Sequence, residues 1–413
     1  MSRSILLVGQ LAPPTNLVAA RRVAGLTRYL ARLGHSVTVL TSGVSGEGEI
    51  DGAQAVVRTY DLMATHLNWR RGHFAALGGQ TSASYRGASR LESVVIPDIA
   101  AVSWLPFACR QAISLAKSEP FDCVITSSPP QSGHLVGAAL KRRGLPWIAE
   151  FRDGWTFESP RRPYPFGWQR RADQTLERFV VERASAVVGV TAPIVDDLRR
   201  RYGTDARLIT NGFDPEDDVA AGTPVALDER RHSLVHTGRM AISRSTPRPL
   251  LEGVVRLQAE MPTAADLLEI VFAGPLSSQE AELVGDAGVA RIVRTVGAVD
   301  RPSALRLQRE ADSLLVITEG STRKSVATGK LFEYLAANRP ILVLGEETEA
   351  ARIVEDAGAG FSAPADDPVG IAAALRRLID GTPISGASSA AIERYSYPEL
   401  VRAYAALIDE VSA

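Results

Sequence analysis

A segment near the C-terminal end of the chain places a glycine, a lysine and a glutamate at the start of a predicted helix. It runs from Thr328 to Leu344 and reads TGKLFEYLAANRPILVL. Apolar residues recur at helical spacing, which predicts an amphipathic helix over Lys330–Asn338 that Pro340 brings to an end. The apolar run Ile341–Leu344 that follows is typical of a buried parallel strand.

The residue types at the start of this helix fit a phosphate group and a sugar diol. Thr328 and Gly329 form the entry, where unpaired backbone N–H groups of a helix can hold an anion. Lys330 adds a compact positive charge. Glu333 lies one turn further along, and an ionised carboxylate can accept two hydrogen bonds. The pattern predicts a nucleotide site, although a Lys–Glu pair three residues apart is also common as a solvated surface pair.

The use of lysine in the chain favours phosphate. The sequence contains four lysines against a large number of arginines, and two of the four, Lys324 and Lys330, flank this one loop. Lysine binds phosphate as a point charge, so its placement here in an arginine-rich chain is consistent with such a role.

A second candidate phosphate site follows the predicted strand Ser233–Thr237. Gly238 and Arg239 come directly after the strand, and Arg244 lies in the polar loop before the next helix. Two arginines after a strand end can neutralise a diphosphate, and a glycine permits close approach of the backbone. Gly-Arg pairs are also ordinary turn residues, so this pattern alone does not decide the function.

In the N-terminal half, two residues follow predicted strands directly. Gly9 comes after the first strand, and Asp153 lies just past the strand Trp147–Glu150. Doubly wound folds place their ligands at this edge of the sheet. Asp153 is therefore a candidate catalytic carboxylate, and the alternative is a loop salt bridge with Arg152.

Length, composition and charge indicate a two-domain globular protein. A chain of 413 residues exceeds one ordinary core, and 45% hydrophobic with 23% charged residues is usual for a globular protein. A net charge of −1 gives no basic field for nucleic acid. The two cysteines offer neither a disulfide framework nor a zinc site. We expect a cytoplasmic chain without metal or cofactor; peripheral contact with the inner membrane face stays open.

Strand and helix patterns alternate along the whole chain, which predicts an α/β fold with parallel sheets. A polar stretch rich in Asp, Pro and Gly, NGFDPEDDVAAGTP, separates two such series. We predict an N-terminal domain over 1–213, a linker over 214–232, a second domain over 233–387 and a returning C-terminal helix over 388–413. Two doubly wound halves imply a cleft where the carboxyl ends of both sheets face each other.

The predicted strands are Ile5–Val8, Val37–Leu40, Cys123–Thr126, Trp147–Glu150, Val187–Val190, Leu208–Thr210, Ser233–Thr237, Leu268–Ala273, Ala290–Val296, Ser313–Thr318 and Ile341–Leu344. The predicted helices are Val18–Leu33, Trp104–Lys117, Gln131–Arg143, Gln169–Ala184, Ala192–Tyr202, Arg248–Glu260, Ser277–Asp286, Pro302–Ala311, Lys330–Asn338, Thr348–Ala357, Pro368–Asp380 and the segment Ser388–Val411. One long stretch, Thr65–Ile96, is predicted as irregular. It is rich in Gly, Ser, Arg and aromatic residues, which indicates either contact with an acceptor or lipid head group or an insertion without a fixed role.

Four segments occur in the order found in one protein family, and the resemblance covers almost the whole chain. LARLGHSVTVLTS has a helix ending in Gly-His before a strand, ITNGFD contains the turn Asn211–Gly212, HTGRMAISRS contains Arg239, and KLFEYLAANRPIL contains Glu333. Together they resemble the retaining glycosyltransferases of family 4. The resemblance implies the GT-B fold, in which two Rossmann-like doubly wound domains face a central cleft; the first binds the acceptor and the second the nucleotide sugar.

The resemblance also implies roles for single residues. Arg239 and Arg244 correspond to the Arg and Lys that bind the diphosphate, and Glu333 to the second, ribose-binding glutamate. Where the family has its first glutamate, near the donor sugar, this chain has Ser325, and Glu319 lies earlier in the loop. This departure puts the handling of the donor sugar in question.

Two further departures lie in the N-terminal half. The family's Gly-Gly after the first strand is absent, and Arg21 is the candidate that assists phosphate binding instead. The active-site histidine that often follows the fourth strand is replaced by Ser127 and Ser128. His134, a turn into the next helix, is the candidate catalytic residue, and a structural role is the alternative for a lone helix histidine.

The reaction that the resemblance implies is transfer of a sugar from a nucleotide-activated donor, UDP- or GDP-linked, with retention and without a metal ion. The acceptor would be a polysaccharide, a lipid-linked sugar or a small natural product. Two alternatives stay open: a sugar-nucleotide epimerase of the same architecture, and a catalytically silent subunit that keeps the nucleotide site. A retaining glycosidase would need a pair of catalytic carboxylates, and none is identifiable in this chain. A dehydrogenase is disfavoured because no G-x-G-x-x-G follows a strand.

Overall fold

The computed structural model describes residues 2–15, 17–62, 94–161, 163–239, 246–286, 288–318, 323–381 and 386–413. These fold into two compact units. The first unit comprises Met1–Gly212 with Tyr397–Ala413, and the second comprises Phe213–Ser396. The segment 214–232, predicted as a linker, therefore lies within the second unit. Of the predicted C-terminal segment, residues 388–396 belong to the second unit and 397–413 to the first.

The first unit is built on a parallel sheet of seven strands in the order β3-β2-β1-β4-β5-β6-β7. Its strands are β1 Ser4–Val8, β2 Ser36–Ser42, β3 Ala53–Thr59, β4 Cys123–Ser128, β5 Trp147–Phe151, β6 Ala186–Gly189 and β7 Arg207–Leu208. Its helices are α1 Val18–Arg32, α2 Ala100–Ser103, α3 Leu105–Ser118, α4 His134–Lys141, α5 Gly167–Arg183 and α6 Ala192–Tyr202, with 3-10 turns at Gly43–Ser45 and Gln131–Gly133. The C-terminal helix, α15, spans Tyr397–Ser412.

Both faces of this sheet are buried, as the apolar run of its first strand predicts. Along β1, Leu6 and Val8 pack into one apolar cluster, whereas Ile5 and Leu7 pack into another on the opposite face. The two faces follow from the alternation of side chains along a strand. Tyr404 and other residues of α15 belong to the second of these clusters. The C-terminal helix is therefore part of the core of the first unit.

The second unit repeats the arrangement with a parallel sheet of six strands in the order β10-β9-β8-β11-β12-β13. Its strands are β8 His232–Thr237, β9 Leu268–Ala273, β10 Val293–Gly297, β11 Ser313–Ile317, β12 Ile341–Leu344 and β13 Gly360–Ala363. Its helices are α7 Arg248–Glu260, α8 Ala264–Leu267, α9 Ser278–Asp286, α10 Arg301–Glu310, α11 Gly329–Ala337, α12 Glu349–Asp356, α13 Pro368–Ile379 and α14 Ser389–Glu393. Apolar clusters cover both faces of this sheet too.

The structure confirms the predicted alternation and corrects several elements. Two strands were not predicted from the sequence. One, β3, is a half-exposed edge strand containing Gln54 and Arg58, and the other, β13, has only four residues. The segment around Gln131 begins as a 3-10 turn before α4, and the strand predicted from Ala290 begins at Val293. Edge strands lack the continuous apolar run that marks a central parallel strand, so periodicity does not reveal them. Most of the stretch Thr65–Ile96 lies outside the described residues.

Among the described residues, no helix is both long enough and apolar enough to span a membrane.

Candidate functional site

The carboxyl end of β8 carries a backbone turn that favours glycine. Gly238 has a φ of 85°, a left-handed conformation that favours glycine, and its N–H donates to the Ala273 carbonyl at 2.7 Å. A Cβ on Gly274 would lie 1.9 Å from the Gly238 carbonyl oxygen. Two glycines thus let the ends of β8 and β9 approach closely. Since β8 and β11 are the neighbours at which the strand order reverses, this turn lies at the switch point where such sheets bind ligands.

The N-terminus of α11 meets the same edge, because α11 is the helix that follows β11. Thr328 is its N-cap residue and has extended backbone angles, but its side chain makes no capping hydrogen bond. Among the described atoms, the buried Thr328 Oγ1 has no hydrogen-bond partner. Gly329 is buried as the first residue of the helix. The first turn therefore presents backbone N–H groups and one hydroxyl that a phosphate could engage.

Lys330, at the start of α11, contacts the turn after β8, so two candidate phosphate sites that were predicted separately lie together. Its Nζ donates to the Arg239 carbonyl at 3.1 Å and lies 3.0 Å from Nε2 of His236. A Cβ on Gly238 would lie 3.5 Å from this Nζ. Burial lowers the pKa of Lys330 to about 8, and the nearby Glu333 carboxylate opposes that shift. The ammonium is thus held against the turn Gly238–Arg239.

Glu333 already has a cationic partner in the structure. Nη1 of Arg301 donates to its Oε1 at 2.6 Å, and Arg301 also pairs with Asp217. Burial by itself would lower the pKa of Arg301, but Glu333 and Asp217 raise it well above its usual value. The carboxylate is therefore fixed in place by an arginine from α10. The role of Glu333 toward a ribose stays a prediction.

Of the other residues considered for this site, the structure describes some and not others. Ser325 is 2% exposed in the loop before α11, so its side chain is buried within the second unit. Arg244 and Glu319 lie outside the described residues. Within the described ranges, no group of three or more His, Cys, Asp or Glu side chains is arranged to hold a metal ion.

Three buried polar side chains that the sequence did not single out fix the end of β8. The Thr237 N–H donates to the Tyr334 hydroxyl at 2.8 Å, and Nε2 of Gln308 donates to Thr237 Oγ1 at 2.9 Å. Tyr334 thereby ties α11 to β8. His236, also on β8, contacts Lys330 directly. The sequence signal was the high share of polar residues in HSLVHT, where only Leu234 and Val235 are apolar.

The candidates of the first unit lie at the corresponding edge of its own sheet. Gly9 follows β1, and a Cβ there would lie 2.9 Å from Val23 Cγ2, so α1 packs closely because the residue is glycine. Arg21 is half-buried on α1. Asp153 is half-buried two residues after β5 and precedes the tight turn at Gly154. These positions agree with the predicted placement after strand ends.

His134 is a core residue, which corrects its interpretation as an active-site group. It is 0% exposed, and its ring lies 4.7 Å from the Phe151 ring and 6.2 Å from the Trp155 ring. Its Nδ1 is 2.8 Å from Thr126 Oγ1. Burial lowers its pKa to about 3. A neutral imidazole without exposed atoms has the properties of a packing residue, the alternative considered above.

A buried polar cluster of the first unit was also not predicted. Arg22, which is 1% exposed, donates from Nε and Nη2 to Glu150 Oε1 at 3.1 and 2.8 Å. Ser127 donates to Glu150 Oε2 at 2.5 Å, and Tyr404 of α15 donates to Oε1. Burial would raise the pKa of Glu150, but Arg22 and Ser127 lower it below its usual value. We call Arg22, Glu150, Ser127 and Tyr404 the buried network.

Comparison with known proteins places both units in one family. A family model described as "glycosyl transferase 4-like domain" matches residues 19–212. A second model, "glycosyl transferases group 1", matches residues 231–381. Together the two models cover most of the chain. A search of the curated proteins found no match.

Solved structures share the fold over essentially the whole chain. A sucrose-phosphate synthase from Thermosynechococcus elongatus matches with 16% identity and a TM-score of 0.66, covering 99% of each chain. A glycosyltransferase from Rickettsia africae matches with 13% identity and a TM-score of 0.63, covering 99% of this chain and 98% of the other. An α,α-trehalose-phosphate synthase from Burkholderia xenovorans, in complex with glucose-6-phosphate, matches with 14% identity and a TM-score of 0.62 over 99% of this chain and 100% of the other. These likenesses confirm the predicted GT-B fold.

Proposed function

The chain belongs to the group 1 glycosyltransferases, and we propose that it transfers a sugar from a nucleoside-diphosphate sugar to an acceptor hydroxyl, with retention and without a metal ion. The observation that carries the proposal is the position of Lys330. Its ammonium lies against the turn Gly238–Arg239 at the switch point of the second sheet and at the N-terminus of α11. The site thus combines a cation, backbone N–H groups and a glycine turn, and this combination is suited to binding a diphosphate.

The chemical task of these groups is to stabilise the leaving diphosphate. In the transfer, the bond between the anomeric carbon and the diphosphate oxygen breaks, and negative charge grows on the phosphate. Lys330, Arg239 and the first-turn N–H groups of α11 would offset that charge, with Arg244 added by resemblance. Fixed donors and cations in a partly buried site stabilise developing charge without reorganising. This charge compensation by side chains and backbone supports the metal-independent form of the proposal.

The remaining candidates receive roles around this centre. We propose that Glu333, held by Arg301, accepts hydrogen bonds from the ribose diol, and that Ser325 lies on the side of the donor sugar. On the acceptor side we propose Asp153 as the catalytic carboxylate, with Gly9 and Arg21 binding substrate or phosphate. The acceptor would be a glycan, a glycolipid or a small natural product, as in polysaccharide biosynthesis.

The first test is calorimetric titration of UDP, GDP and ADP, and of their sugar conjugates, without metal ions. We expect one diphosphate to bind. Glu333→Ala should weaken it about tenfold or more, because losing a hydrogen bond to a charged group costs roughly 1.5–3 kcal/mol. Glu310→Ala is a matched control, since Glu310 pairs with Arg306 in an exposed i,i+4 contact on α10. If no diphosphate binds the wild type, the proposed donor site is wrong.

Turnover then separates transfer from its two alternatives. The donor identified by titration is incubated with candidate acceptors in single-turnover amounts, and the anomeric configuration of the product is read by NMR. Transfer with retained configuration supports the proposal. Conversion of the donor to an isomeric sugar nucleotide would indicate an epimerase. Tight binding without transfer to any acceptor class would indicate a silent nucleotide-sugar-binding subunit.

We also propose that the enzyme is cytoplasmic and contacts the membrane face peripherally. Phe166 and Trp168 are 57% and 63% exposed at the start of α5, and Arg170 and Arg171 follow directly. Exposed aromatic side chains beside arginines suit an interface with anionic lipid. Vesicles with anionic lipid should sediment the wild type, and Trp168→Ser should reduce the bound fraction. Equal binding to neutral and anionic vesicles, or none, would contradict this.

A further inference from the structure

We propose that His236 is a positioning residue for donor binding: its imidazole connects the Leu315 backbone to the Lys330 ammonium and aims that ammonium at the diphosphate. The inference rests on the proposed donor site. It adds a residue inside β8 that touches no substrate and acts only through Lys330.

The hydrogen bonds of the imidazole determine which nitrogen carries the proton. Nδ1 lies 2.8 Å from the Leu315 carbonyl oxygen, and a carbonyl can only accept, so Nδ1 carries the proton. Nε2 lies 3.0 Å from Lys330 Nζ, and an ammonium can only donate, so Nε2 is the acceptor. The neutral tautomer protonated at Nδ1 satisfies both contacts, whereas the one protonated at Nε2 would satisfy neither and could only donate to the Arg239 carbonyl oxygen, 2.7 Å from Nε2. The burial that lowers the pKa of His236 to about 3 keeps the ring in that neutral form.

The ammonium also resolves a contact that would be unfavourable without it. Nε2 of His236 lies 2.7 Å from the Arg239 carbonyl oxygen, and in this tautomer both atoms carry lone pairs. Lys330 Nζ is 3.0 Å from the first and 3.1 Å from the second, so it bridges them. His236 and the Arg239 carbonyl therefore form a two-point seat for a cation at the end of β8.

The seat fixes the direction of the remaining N–H of Lys330. An ammonium has three protons, and within the described part of the chain two of them are taken by His236 and the Arg239 carbonyl. The third is available to a ligand oxygen beside Gly238. A lysine side chain otherwise samples many rotamers, and the loss of that freedom opposes binding. By holding Lys330 before the donor arrives, His236 reduces this cost.

The seat also determines the pH range in which Lys330 is charged. The described charged and titratable groups around it are neutral His236 on β8, Arg239 after β8, Glu333 on its own helix and, paired with Glu333, Arg301 of α10. The pKa of Lys330 is lowered to about 8 by burial, against the attraction of Glu333. An acceptor at Nε2 stabilises the ammonium form. Replacing it with an apolar group lowers the Lys330 pKa further, so donor binding is lost at lower pH.

The experiment compares His236→Leu, His236→Gln and His236→Asn by titration with the nucleoside diphosphate that the wild type binds. Glutamine can place an oxygen near the position of Nε2, whereas asparagine keeps a donor near Nδ1 and is too short to reach Lys330. We expect His236→Leu and His236→Asn to weaken binding about tenfold and His236→Gln to restore most of it. In His236→Leu and His236→Asn, the pH above which the diphosphate no longer binds should be lower than in the wild type. In His236→Gln this pH should return toward the wild-type value.

A double-mutant cycle with Lys330→Met tests whether His236 acts through the lysine. In that background His236→Leu should have almost no further effect, since the group that it positions is gone. His232→Leu is the matched control, because His232 lies at the opposite end of the same strand and contacts Ser313 Oγ. This control should bind like the wild type. Near-ultraviolet circular dichroism checks that each variant is folded.

The outcomes distinguish the inference from the proposed function. If the wild type binds no nucleoside diphosphate, the proposed function itself fails. If Lys330→Met weakens binding but His236→Leu and its pH profile match the wild type, the positioning role is overturned while the donor site stands. Additive losses in the double mutant also overturn it. If His236→Leu does not fold, equal binding by His236→Gln and His236→Asn overturns it.

Discussion

The two units hold a buried cation in two different ways. In the buried network, Arg22 donates two hydrogen bonds to Glu150 and two more to the carbonyls of Ile209 and Thr210. In the second unit, Lys330 is held by one imidazole nitrogen and one carbonyl, with no carboxylate in direct contact among the described residues. The arginine is thus neutralised within the protein, whereas the lysine keeps its net charge.

The two cations differ in their partners, and we infer that they also differ in function. Burial lowers the pKa of an isolated cation, and in Arg22 the carboxylate beside it more than reverses the shift. In Lys330 burial prevails, and its pKa falls to about 8. A cation that lacks an ionic partner at contact distance is costly to the folded protein, and a diphosphate would supply that partner. We therefore interpret the buried network as structural and the Lys330 seat as a binding site.

Breaking the buried network should give the largest effect, and it should be an effect on stability. Arg22→Met leaves the Glu150 carboxylate buried without its cation, so we expect the free energy of unfolding of the first unit to fall by about 3–5 kcal/mol. All five tryptophans lie within residues 1–212, so tryptophan fluorescence in urea reports on this unit alone. Arg28→Met is the control, because Arg28 pairs with Asp51 on the surface. A similar loss in both variants would contradict the interpretation.

Removing the cation of the second unit should change binding instead. Lys330→Met should weaken the bound nucleoside diphosphate by roughly 1.5–3 kcal/mol, the range for a hydrogen bond to a charged group. The tryptophan unfolding curve should stay where it is. Lys324→Met is the matched control, since Lys324 flanks the same loop and pairs with Glu347 at the surface. If calorimetry shows the same affinity for Lys330→Met as for the wild type, Lys330 does not bind the diphosphate, and the comparison between the two buried cations fails.

A smaller loss of stability should follow when the C-terminal helix is detached from the network. Tyr404→Phe removes one hydroxyl donor to Glu150, while Arg22 and Ser127 remain. We expect a loss of about 1.5 kcal/mol in the urea unfolding of the first unit, the lower end for a bond to a charged acceptor. A loss as large as that of Arg22→Met would mean that the helix, rather than the ion pair, dominates the network.

The last expected effect is a dependence of donor binding on pH. In the proposed site the protonated form of Lys330 binds the diphosphate, and its pKa is about 8, so affinity should be constant below that value and decrease above it by at most tenfold per pH unit. Titrations between about pH 7.5 and 9.5 keep the diphosphate fully ionised. Lys330→Arg stays charged throughout this range and should give a flat profile. A falling profile in both proteins would assign the titration to another group.

Much of this arrangement could be predicted from the sequence, because its signals are local. The apolar runs of β1 and β12 predicted parallel strands, and the spacing after Thr328 predicted α11, with bounds that differ from the prediction by one residue at each end. Gly238, Arg239 and Lys330 were predicted as phosphate ligands from two separate motifs. The structure brings these three residues together, and their role toward phosphate stays a proposal.

The environment of a polar residue could not be predicted where it comes from distant parts of the chain. His134 was proposed as catalytic because it follows a strand end, but Phe151 and Trp155 enclose it. Arg22 on α1 was not predicted, and it is the residue that faces Glu150, 128 positions away. A helix position shows which residues share a face but not what that face meets.

The sequence by itself determined the two doubly wound sheets, the family, and the residue types at the carboxyl end of β8 and the start of α11. The tertiary structure alone decided how each buried charge is compensated. Arg22 meets a carboxylate and Lys330 an imidazole and a carbonyl, with partners that lie 91 to 188 positions away. The physical reason is that a buried charge responds to burial and to atoms within a few ångströms, and the packing of distant segments determines both.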